Sequence, residues 1–278
     1  MDLSAQQPTE AVAPASEAGQ GHFFEVTGLR RTIGWQTILD GVDLNIRRGE
    51  CMVILGRSGE GKSVLLKHLT GLMSPDEGSI LVDGEEIVGV PERQLNKVRQ
   101  KVGILFQDGA LFDSFTVAEN VAFPLTERGE KRREVLEERA REVLQMVELE
   151  NHMDKMPVNI SGGMRKRVAL ARAIITRPSC ILYDEPTSGL DPIVSDSIDH
   201  LIIDMKHRFS ITSVVVTHDM KSMFKIADRV AYLREGRIYF LGTPEELRHC
   251  PDPAVQNFIE GRSEATLREK EPKGPRTK

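Results

Sequence analysis

Hydrophobic and polar residues alternate in two segments near the start of the chain, residues 23–27 and 42–46. Because successive side chains of a strand point to opposite faces, this alternation predicts two half-exposed strands. Cys51–Leu55 is instead continuously apolar, which is typical of a strand buried on both faces of a sheet. Similar apolar runs predict three further strands, at residues 181–183, 213–217 and 230–233.

Apolar residues at helical spacing follow the buried strand and recur in the middle of the chain. The first predicted helical stripe contains four leucines, Leu65, Leu66, Leu69 and Leu72. The second runs through the highly charged residues 133–147 and contains Leu136, Ala140, Val143, Leu144 and Val147. Strands that alternate with helices predict an α/β fold, in which helices cover both faces of a mostly parallel sheet. The mainly helical stretch from about residue 108 to 178 predicts an inserted subdomain.

Composition limits the architecture and the partners. With 278 residues, of which 40% are hydrophobic, the chain has room for one large α/β domain or two small ones. The net charge of −5 gives no reason to expect a nucleic-acid partner. Cys51 and Cys180 lie in apolar runs, which favours buried thiols in a reducing compartment.

The two ends of the chain differ in composition from the region between them. Residues 1–21 are rich in Ala, Pro, Gln and Glu and lack the features of a signal peptide, so we expect a disordered leader. We expect residues 262–278 to form a charged, disordered tail, which leaves the ordered domain over residues 22–261. No apolar stretch approaches the ~20 residues that a membrane span needs. A role at a membrane would therefore require docking on another chain that crosses the bilayer.

A glycine-rich segment follows the strand Cys51–Leu55 and matches the P-loop pattern GxxxxGK[ST]. In such a loop, backbone N–H groups surround the β-phosphate of ATP, and the next helix adds its positive N-terminal dipole. The lysine reaches the β- and γ-phosphates, and the serine hydroxyl binds Mg²⁺. The alternative, a turn before an ordinary helix, is disfavoured by the flanking strand and helix. The candidate ATP-binding residues here are Gly56, Arg57, Ser58, Gly59, Glu60, Gly61, Lys62, Ser63 and Val64.

Two carboxylates end a second apolar run, at Asp184 and Glu185. Many strands end in surface acids, so this pattern alone is weak evidence for a site. Beside a P-loop, however, Asp184 is placed to hold Mg²⁺ through water. Glu185 is placed to orient or deprotonate the attacking water.

Four further elements follow in order, namely Gln107 in GILFQD, the run Ser161, Gly162 and Gly163 before a helical segment, Asp191 in SGLD, and His218 in VVVTHD. Each has an ordinary alternative, because Gln107 and His218 could be loop residues and the SGG run a helix cap. Together with the P-loop and the acidic strand end, they resemble the ATP-binding subunits of ABC transporters. The resemblance extends from about residue 23 to 261. It implies a P-loop NTPase core with an antiparallel β-subdomain and an inserted helical subdomain.

The resemblance also implies a head-to-tail homodimer with two ATP molecules between its chains. The signature Ser161-Gly162-Gly163 would complete the ATP site of the partner chain, and Asp191 would cross the interface. Within one chain, Gln107 would contact Mg²⁺ and the attacking water and relay to an integral-membrane permease. His218 would contact the γ-phosphate and, with Gln107 and Glu185, form the catalytic group.

Three segments resemble a narrower group, the ATPases of MCE-domain and Mla-type phospholipid transporters. They are residues 106–125, the segment that begins with the signature and continues with Met164, and residues 242–261. An MCE-domain lipid-binding protein would then be a further partner, and the chain would lie on the cytoplasmic face of the inner membrane. The alternative within transport is an import ATPase for amino acids, metal ions or another small solute.

A non-transport ABC ATPase that acts on DNA or ribosomes is a third hypothesis. It is disfavoured because the chain lacks a long coiled coil and contains one such domain rather than two. The basic run Arg165, Lys166 and Arg167 could indicate nucleic acid, but we interpret it as the solvated side of the signature helix.

The sequence leaves two contacts undecided, that with adenine and that with the permease. Adenine could contact Ile33, or it could stack on Trp35, which would share a face with Ile33 if the backbone were extended there. Leu111, Phe112 and Phe115 could form the permease-docking surface or belong to the core of the helical subdomain.

Overall fold

Two β-sheets organise residues 21–262, the part of the chain that the computed structural model describes. The expected leader, residues 1–21, and the expected tail, residues 262–278, lie outside that part except for Gly21 and Arg262 at their inner ends. The strands are β1 (His22–Ile33), β2 (Gln36–Arg47), β3 (Cys51–Leu55), β4 (Glu77–Val82), β5 (Glu85–Glu86), β6 (Val102–Leu105), β7 (Cys180–Asp184), β8 (Thr212–Thr217), β9 (Arg229–Arg234) and β10 (Arg237–Gly242). The helices are α1 (Lys62–Leu69), α2 (Glu92–Arg99), α3 (Val117–Glu127), α4 (Arg133–Met146), α5 (Gly162–Ile174), α6 (Pro192–Phe209), α7 (Met220–Ile226), α8 (Pro244–Arg248) and α9 (Pro253–Ile259).

The larger sheet has the strand order β10-β9-β3-β8-β7-β6. Its strands are parallel from β9 to β6, and β10 is antiparallel to β9. The smaller sheet is antiparallel, in the order β2-β1-β4-β5. The predicted α/β class, with a parallel core and an antiparallel β-subdomain, is confirmed.

Strand β3 lies at the centre of the molecule and separates two hydrophobic cores. All five of its residues are buried, as its unbroken apolar run predicts. Cys51, Val53 and Leu55 pack into the core that contains helices α3 to α7, whereas Met52 and Ile54 pack against α1 and the antiparallel sheet. The alternation follows from the two-residue period of a strand, and it fixes the position of the loop that leaves β3.

Helices α3, α4 and α5 lie in the predicted helical stretch and pack on one another. A capping box between Thr116 and Glu119 begins α3. The periodic segment 133–147 contains α4, which buries Ala140, Val143 and Leu144 as its pattern predicts. The third helix, α5, is covered by neighbours over most of its length, and it carries the signature residues at its N-terminus.

One local prediction is wrong, and the condition attached to one open alternative is not met. Helix α1 ends at Leu69, and the left-handed Gly71, with φ of 63°, turns the chain away, so Leu72 leaves the predicted stripe and is exposed. Trp35 does not continue an extended strand, because Gly34 and Trp35 form the turn between β1 and β2. Ile33 pairs with Gln36 across that hairpin, so Trp35 does not share the face of Ile33, and its side chain is fully exposed.

The three cysteines of the chain are free thiols. Cys51 and Cys180 are buried, and burial raises the pKa of both thiols far above the ordinary value. Cys250 is only half-buried. Within residues 21–262, no helix combines the length and apolarity that a membrane span requires.

Candidate nucleotide-binding site

The loop between β3 and α1 leaves no room for side chains at two of its glycines. A Cβ at Gly56 would lie 2.7 Å from the carbonyl oxygen of Leu233, and one at Gly61 would lie 2.9 Å from Ile38 Cγ2. Gly61 also has φ of 98°, a conformation that other residues adopt only with strain. The glycines therefore let the loop fold tightly around the N-terminus of α1.

A cleft of about 750 Å³ opens beside this loop. Eleven predicted site residues line it, Gly56, Arg57, Ser58, Gly59, Gly61, Lys62, Ser63, Val64, Gln107, Glu185 and His218. Glu60 points elsewhere, since its carboxylate accepts a hydrogen bond from the Glu235 N–H at 2.6 Å. The P-loop, the end of β7 and the end of β8 thus meet at the carboxyl edge of the parallel sheet, where doubly wound folds place their ligands.

Lys62 is the first residue of α1, and it is buried. Its Nζ donates to the carbonyl oxygens of Gly56 at 2.8 Å and Arg57 at 3.0 Å, and it lies 4.0 Å from Glu185 Oε1. Burial lowers the pKa of the ammonium group, while Glu185, Asp184 and Glu60 act in the opposite direction. An ammonium group held in this way can turn towards a phosphate without leaving the cleft.

Ser63 and Asp184 bring two oxygen ligands together. The Ser63 hydroxyl donates to Asp184 Oδ1 at 2.9 Å, which joins the start of α1 to the end of β7. Burial raises the pKa of Asp184, and the Ser63 hydrogen bond opposes that shift. A divalent cation here would relieve the desolvation of the carboxylate, so the pair suits Mg²⁺.

Glu185 is buried and lies one residue beyond Asp184. His218 Nδ1 lies 2.9 Å from both carboxylate oxygens of Glu185, and its contact with Oε1 has hydrogen-bond geometry. The backbone of Glu185 has φ of 48°, a strained left-handed conformation for a residue other than glycine. A carboxylate that an imidazole holds at the lining of the cleft is suited to orient a water molecule.

The signature residues lie outside the cleft of their own chain. Ser161 caps α5 by accepting the Met164 N–H at 3.3 Å, and Asp191 caps α6 by accepting the N–H groups of Ile193 and Val194 at 3.0 and 3.1 Å. A Cβ on Gly163 would lie 2.5 Å from Val194 Cγ1, so this glycine lets α5 approach α6. Gly162 has no such neighbour and is half-exposed.

The basic run on α5 does not form one solvated face. Arg165 is exposed, and Arg167 pairs with Glu148 at 2.6 Å, but Lys166 is only 5% exposed. Lys166 Nζ donates to the main-chain carbonyl oxygens of Gln107 and Glu185. The interpretation of Lys166 as a solvated residue is therefore wrong, because the helix turns this one position towards the sheet edge.

Residues 39–188 match the family model described as ABC transporter. The chain belongs to the ABC transporter family. Its cassette is therefore an ATP-binding domain and an ATPase, as the motifs predict.

Several curated relatives of this ABC ATPase have different names. It is 41% identical to the "Probable ribonucleotide transport ATP-binding protein mkl" of Mycobacterium leprae, over 87% of this chain and 70% of the relative. It is 40% identical to the "Methionine import ATP-binding protein MetN" of Rhizobium johnstonii, over 83% of this chain and 63% of the relative. With the "Intermembrane phospholipid transport system ATP-binding protein MlaF" of Haemophilus influenzae it is 37% identical, over 90% of this chain and 95% of the relative.

Among solved structures, the ATP-binding cassette MJ0796 superposes with a TM-score of 0.74 at 34% identity, over 80% of this chain and 98% of MJ0796. That structure is a dimer in a post-hydrolysis state bound to ADP and Pi. The likeness confirms the fold of an ABC cassette.

Five residues of this ABC ATPase line the cleft although its motifs do not include them. They are Ile38, Asn257, Phe258, Gly261 and Arg262. Phe258 is held by stacking on Tyr232, with ring centroids 4.5 Å apart. The Asp-Pro pair at the start of α9 is a helix-start signal that predicts the helix itself, but nothing local shows that α9 reaches the cleft.

Neither Ile33 nor Trp35 lines the cleft of the ABC ATPase. Ile38, on β2 beside Gly61, is the apolar residue of the β-subdomain that does so. An apolar contact with adenine is therefore better placed on Ile38 than on either residue suggested by the sequence.

Proposed function

We propose that this ABC ATPase hydrolyses Mg-ATP in a homodimer and drives phospholipid transport between the inner and outer membranes. A membrane permease and an MCE-domain lipid-binding protein would complete the complex, with the ATPase on the cytoplasmic face of the inner membrane. The ATPase step rests on the geometry of the cleft. The lipid cargo rests on the match to MlaF, which covers 90% of this chain and 95% of that relative, more than the matches to mkl and MetN cover.

Binding begins at the P-loop. Its backbone N–H groups and the N-terminus of α1 surround the β-phosphate, and Lys62 turns from the Gly56 carbonyl towards the γ-phosphate. Ser63, Asp184 and Gln107 would hold Mg²⁺, which neutralises developing phosphate charge. Two or three protein oxygens suffice, because Mg²⁺ in such sites keeps phosphate oxygens and waters as its other ligands.

Hydrolysis depends on Glu185. Its carboxylate, which lines the cleft, orients or deprotonates the attacking water. His218 holds that carboxylate and lines the same cleft, where it would contact the γ-phosphate. Gln107 lines the same cleft and would contact the same water.

A second copy of the chain completes each site. Ser161, Gly162, Gly163 and Asp191 do not line the cleft of their own chain, so they are free to serve the cleft of a partner. In that arrangement the N-terminus of α5 presents its positive dipole to the γ-phosphate of the partner's ATP.

The permease would dock beside the Gln107 loop. A groove of about 580 Å³ lies there, lined in part by Phe106, Phe112 and Phe123. Phe112, Phe115 and Phe123 form a cluster with ring centroids 4.7 to 5.9 Å apart. Phe115 and Leu111 are half-buried, whereas Phe112 is exposed, so Phe112 is the residue best placed to meet a permease.

Co-purification tests both partner proposals. A tagged chain isolated from detergent-solubilised membranes should bring down a permease and an MCE-domain protein, with phospholipid in the preparation. A permease that comes instead with an amino-acid-binding protein would support the import alternative and contradict the lipid proposal. Phe112→Glu should reduce permease recovery far more than the small loss of stability from its aromatic contacts explains. Phe209→Glu, which changes an exposed phenylalanine at the end of α6, should leave permease recovery unchanged.

A further inference from the structure

Lys166 is a buried cation that belongs to none of the ATP-binding motifs. It lies on α5 five residues after Ser161, between the exposed Arg165 and the ion-paired Arg167. Burying a lysine is unfavourable unless its ammonium group finds partners. Those partners are the main-chain carbonyls of Gln107 and Glu185, the latter at 3.2 Å.

The contact with Glu185 supports a strained backbone. At φ of 48° this residue depends on its surroundings to hold its conformation. Its N–H donates to the Val216 carbonyl at 2.9 Å, and its carbonyl accepts the Ser188 N–H at 3.2 Å. Lys166 supplies a third hydrogen bond, and it is the one that comes from α5.

The contact with Gln107 is part of a wider attachment. Arg172, also on α5, donates to the carbonyl oxygens of Gly109 at 2.6 Å and Ala110 at 2.8 Å. A Cβ on Gly109 would lie 3.5 Å from Ala169, so this loop packs directly on the helix. Helix α5 therefore holds the segment from Gln107 to Ala110 through three main-chain carbonyls.

We propose that Lys166 is a positioning residue that fixes the main chains of Glu185 and Gln107 to helix α5, so that the catalytic carboxylate of a chain moves with its own signature. The inference rests on the proposed homodimer, in which that signature contacts the partner's ATP. Displacement of Ser161 by ATP in one site then shifts Glu185 in the other. Lys166 thereby links the two sites and makes hydrolysis cooperative in ATP.

The test compares purified full-length chains with Lys166→Met, which keeps a long stem but removes the donors. Lys166→Gln, whose amide is too short to reach both carbonyls, is a second variant that keeps a polar group. Arg167→Met is the matched control, because it removes another cation of α5 that also donates to a main-chain carbonyl, that of Val147 at 3.1 Å. Each protein is assayed for melting temperature, nucleotide affinity, kcat and the Hill coefficient for ATP.

We expect Lys166→Met to lower kcat by roughly 10- to 100-fold, because small displacements of catalytic groups have effects of this size. Nucleotide affinity should stay near wild type, and the Hill coefficient should fall towards one. Lys166→Gln should also lower kcat and the Hill coefficient without changing nucleotide affinity, but by less. Arg167→Met should change only the melting temperature.

Two results would overturn the inference. One is a kcat and Hill coefficient for Lys166→Met that match those of Arg167→Met, and the other is a loss of nucleotide affinity as large as the loss of kcat. Absence of Mg-ATP hydrolysis by the wild-type chain in the same assay would instead overturn the proposed function, and this inference with it.

Discussion

The P-loop side and the signature side of the molecule differ in how far their functional residues are buried and held by other residues of the same chain. On the P-loop side, Lys62 and Glu185 are 7% and 9% exposed and make contacts that cross several elements. On the signature side, Ser161 is exposed, and the apolar residues Val158 and Ile193 nearby are 81% and 83% exposed. The first surface has the features of a finished catalytic half-site, and the second those of a surface that another molecule covers.

The largest loss of hydrolysis should come from a substitution on the P-loop side. Glu185→Gln keeps size and shape but removes the base, so hydrolysis should fall by ~10²–10⁴-fold while ATP still binds and holds the dimer closed. Steady-state phosphate release, with gel filtration in the presence of ATP, measures both consequences. Phosphate release near the wild-type rate would contradict the assignment of Glu185.

Mixing variants tests whether the two sides meet in trans. Ser161→Arg and Lys62→Ala should each abolish hydrolysis alone. Their heterodimer contains one site with both lesions and one with neither, so an equal mixture should regain up to about a quarter of wild-type activity. If the mixture stays inactive while heterodimers form, or if Ser161→Arg disables the P-loop of its own chain, the trans arrangement is wrong.

The helix that Asp191 caps also contains a buried carboxylate. Burial raises the pKa of Asp199 to about 6, despite the hydrogen bond that its Oδ2 accepts from Ser222. A folded-state pKa above the unfolded value means that the folded chain loses stability as pH rises from about 4 to 6. Asp199→Asn should therefore raise the free energy of unfolding by up to about 3 kcal/mol at pH 8 and by about half as much at pH 5.

Chemical denaturation at the two pH values measures this effect. Asp196→Asn, which changes a half-buried residue of the same helix that pairs with Lys225 at 2.6 Å, is the control and should not stabilise the fold. A gain for Asp199→Asn that is equal at pH 8 and pH 5 would show that desolvation of the carboxylate is not its cause.

Alanine substitutions at the two glycines of the signature should have different effects on stability. Gly163→Ala forces a methyl group against Val194 and should lower the free energy of unfolding by about 1–2 kcal/mol. Gly162→Ala meets no atom closer than 3.8 Å and should leave stability near wild type, so any loss of hydrolysis must arise at the dimer interface. Melting temperature and ATPase rate, measured together, distinguish the two, and equal melting temperatures would remove the packing role of Gly163.

The smallest effect concerns the β-subdomain. Because Trp35 is fully exposed in a turn and does not line the cleft, Trp35→Ala should change ATP affinity by well under tenfold, the limit for a lost aromatic stack of ~1 kcal/mol. Ile38→Ala should weaken binding more. As Trp35 is the single tryptophan of the chain, its fluorescence during an ATP titration gives an independent check. A large quench on binding would show that the base reaches Trp35 after all.

The structure could be predicted from the sequence where a local pattern of residues and a chemical requirement of the site agree. Cys51–Leu55 is apolar throughout because both faces are covered, and the glycines after it have no space for side chains, so strand and loop are predictable together. The buried face of α4 is likewise visible in its spacing.

Prediction failed where distant segments decide the environment. Lys166 has charged neighbours in sequence, so its burial is not visible locally. It is buried because the segments that contain Gln107 and Glu185 pack against α5 and supply carbonyl partners for its ammonium group. The contribution of Asn257 to the cleft depends on how α9 packs against Tyr232, which no local pattern encodes. Gly34 and Trp35 form the turn between β1 and β2, so the extended backbone that would place Trp35 on the face of Ile33 does not form.

The unequal burial of the three cysteines makes the natural chain suitable for site-specific labelling. A maleimide reacts with a thiolate that it can reach, so the sealed, high-pKa thiols of Cys51 and Cys180 should stay unmodified in the folded protein. Cys250 lies between α8 and α9, and α9 leads to the cleft. One dye or spin label per chain could therefore be attached there without removing any cysteine, and the distance between two such labels would follow the opening and closing of the dimer in real time.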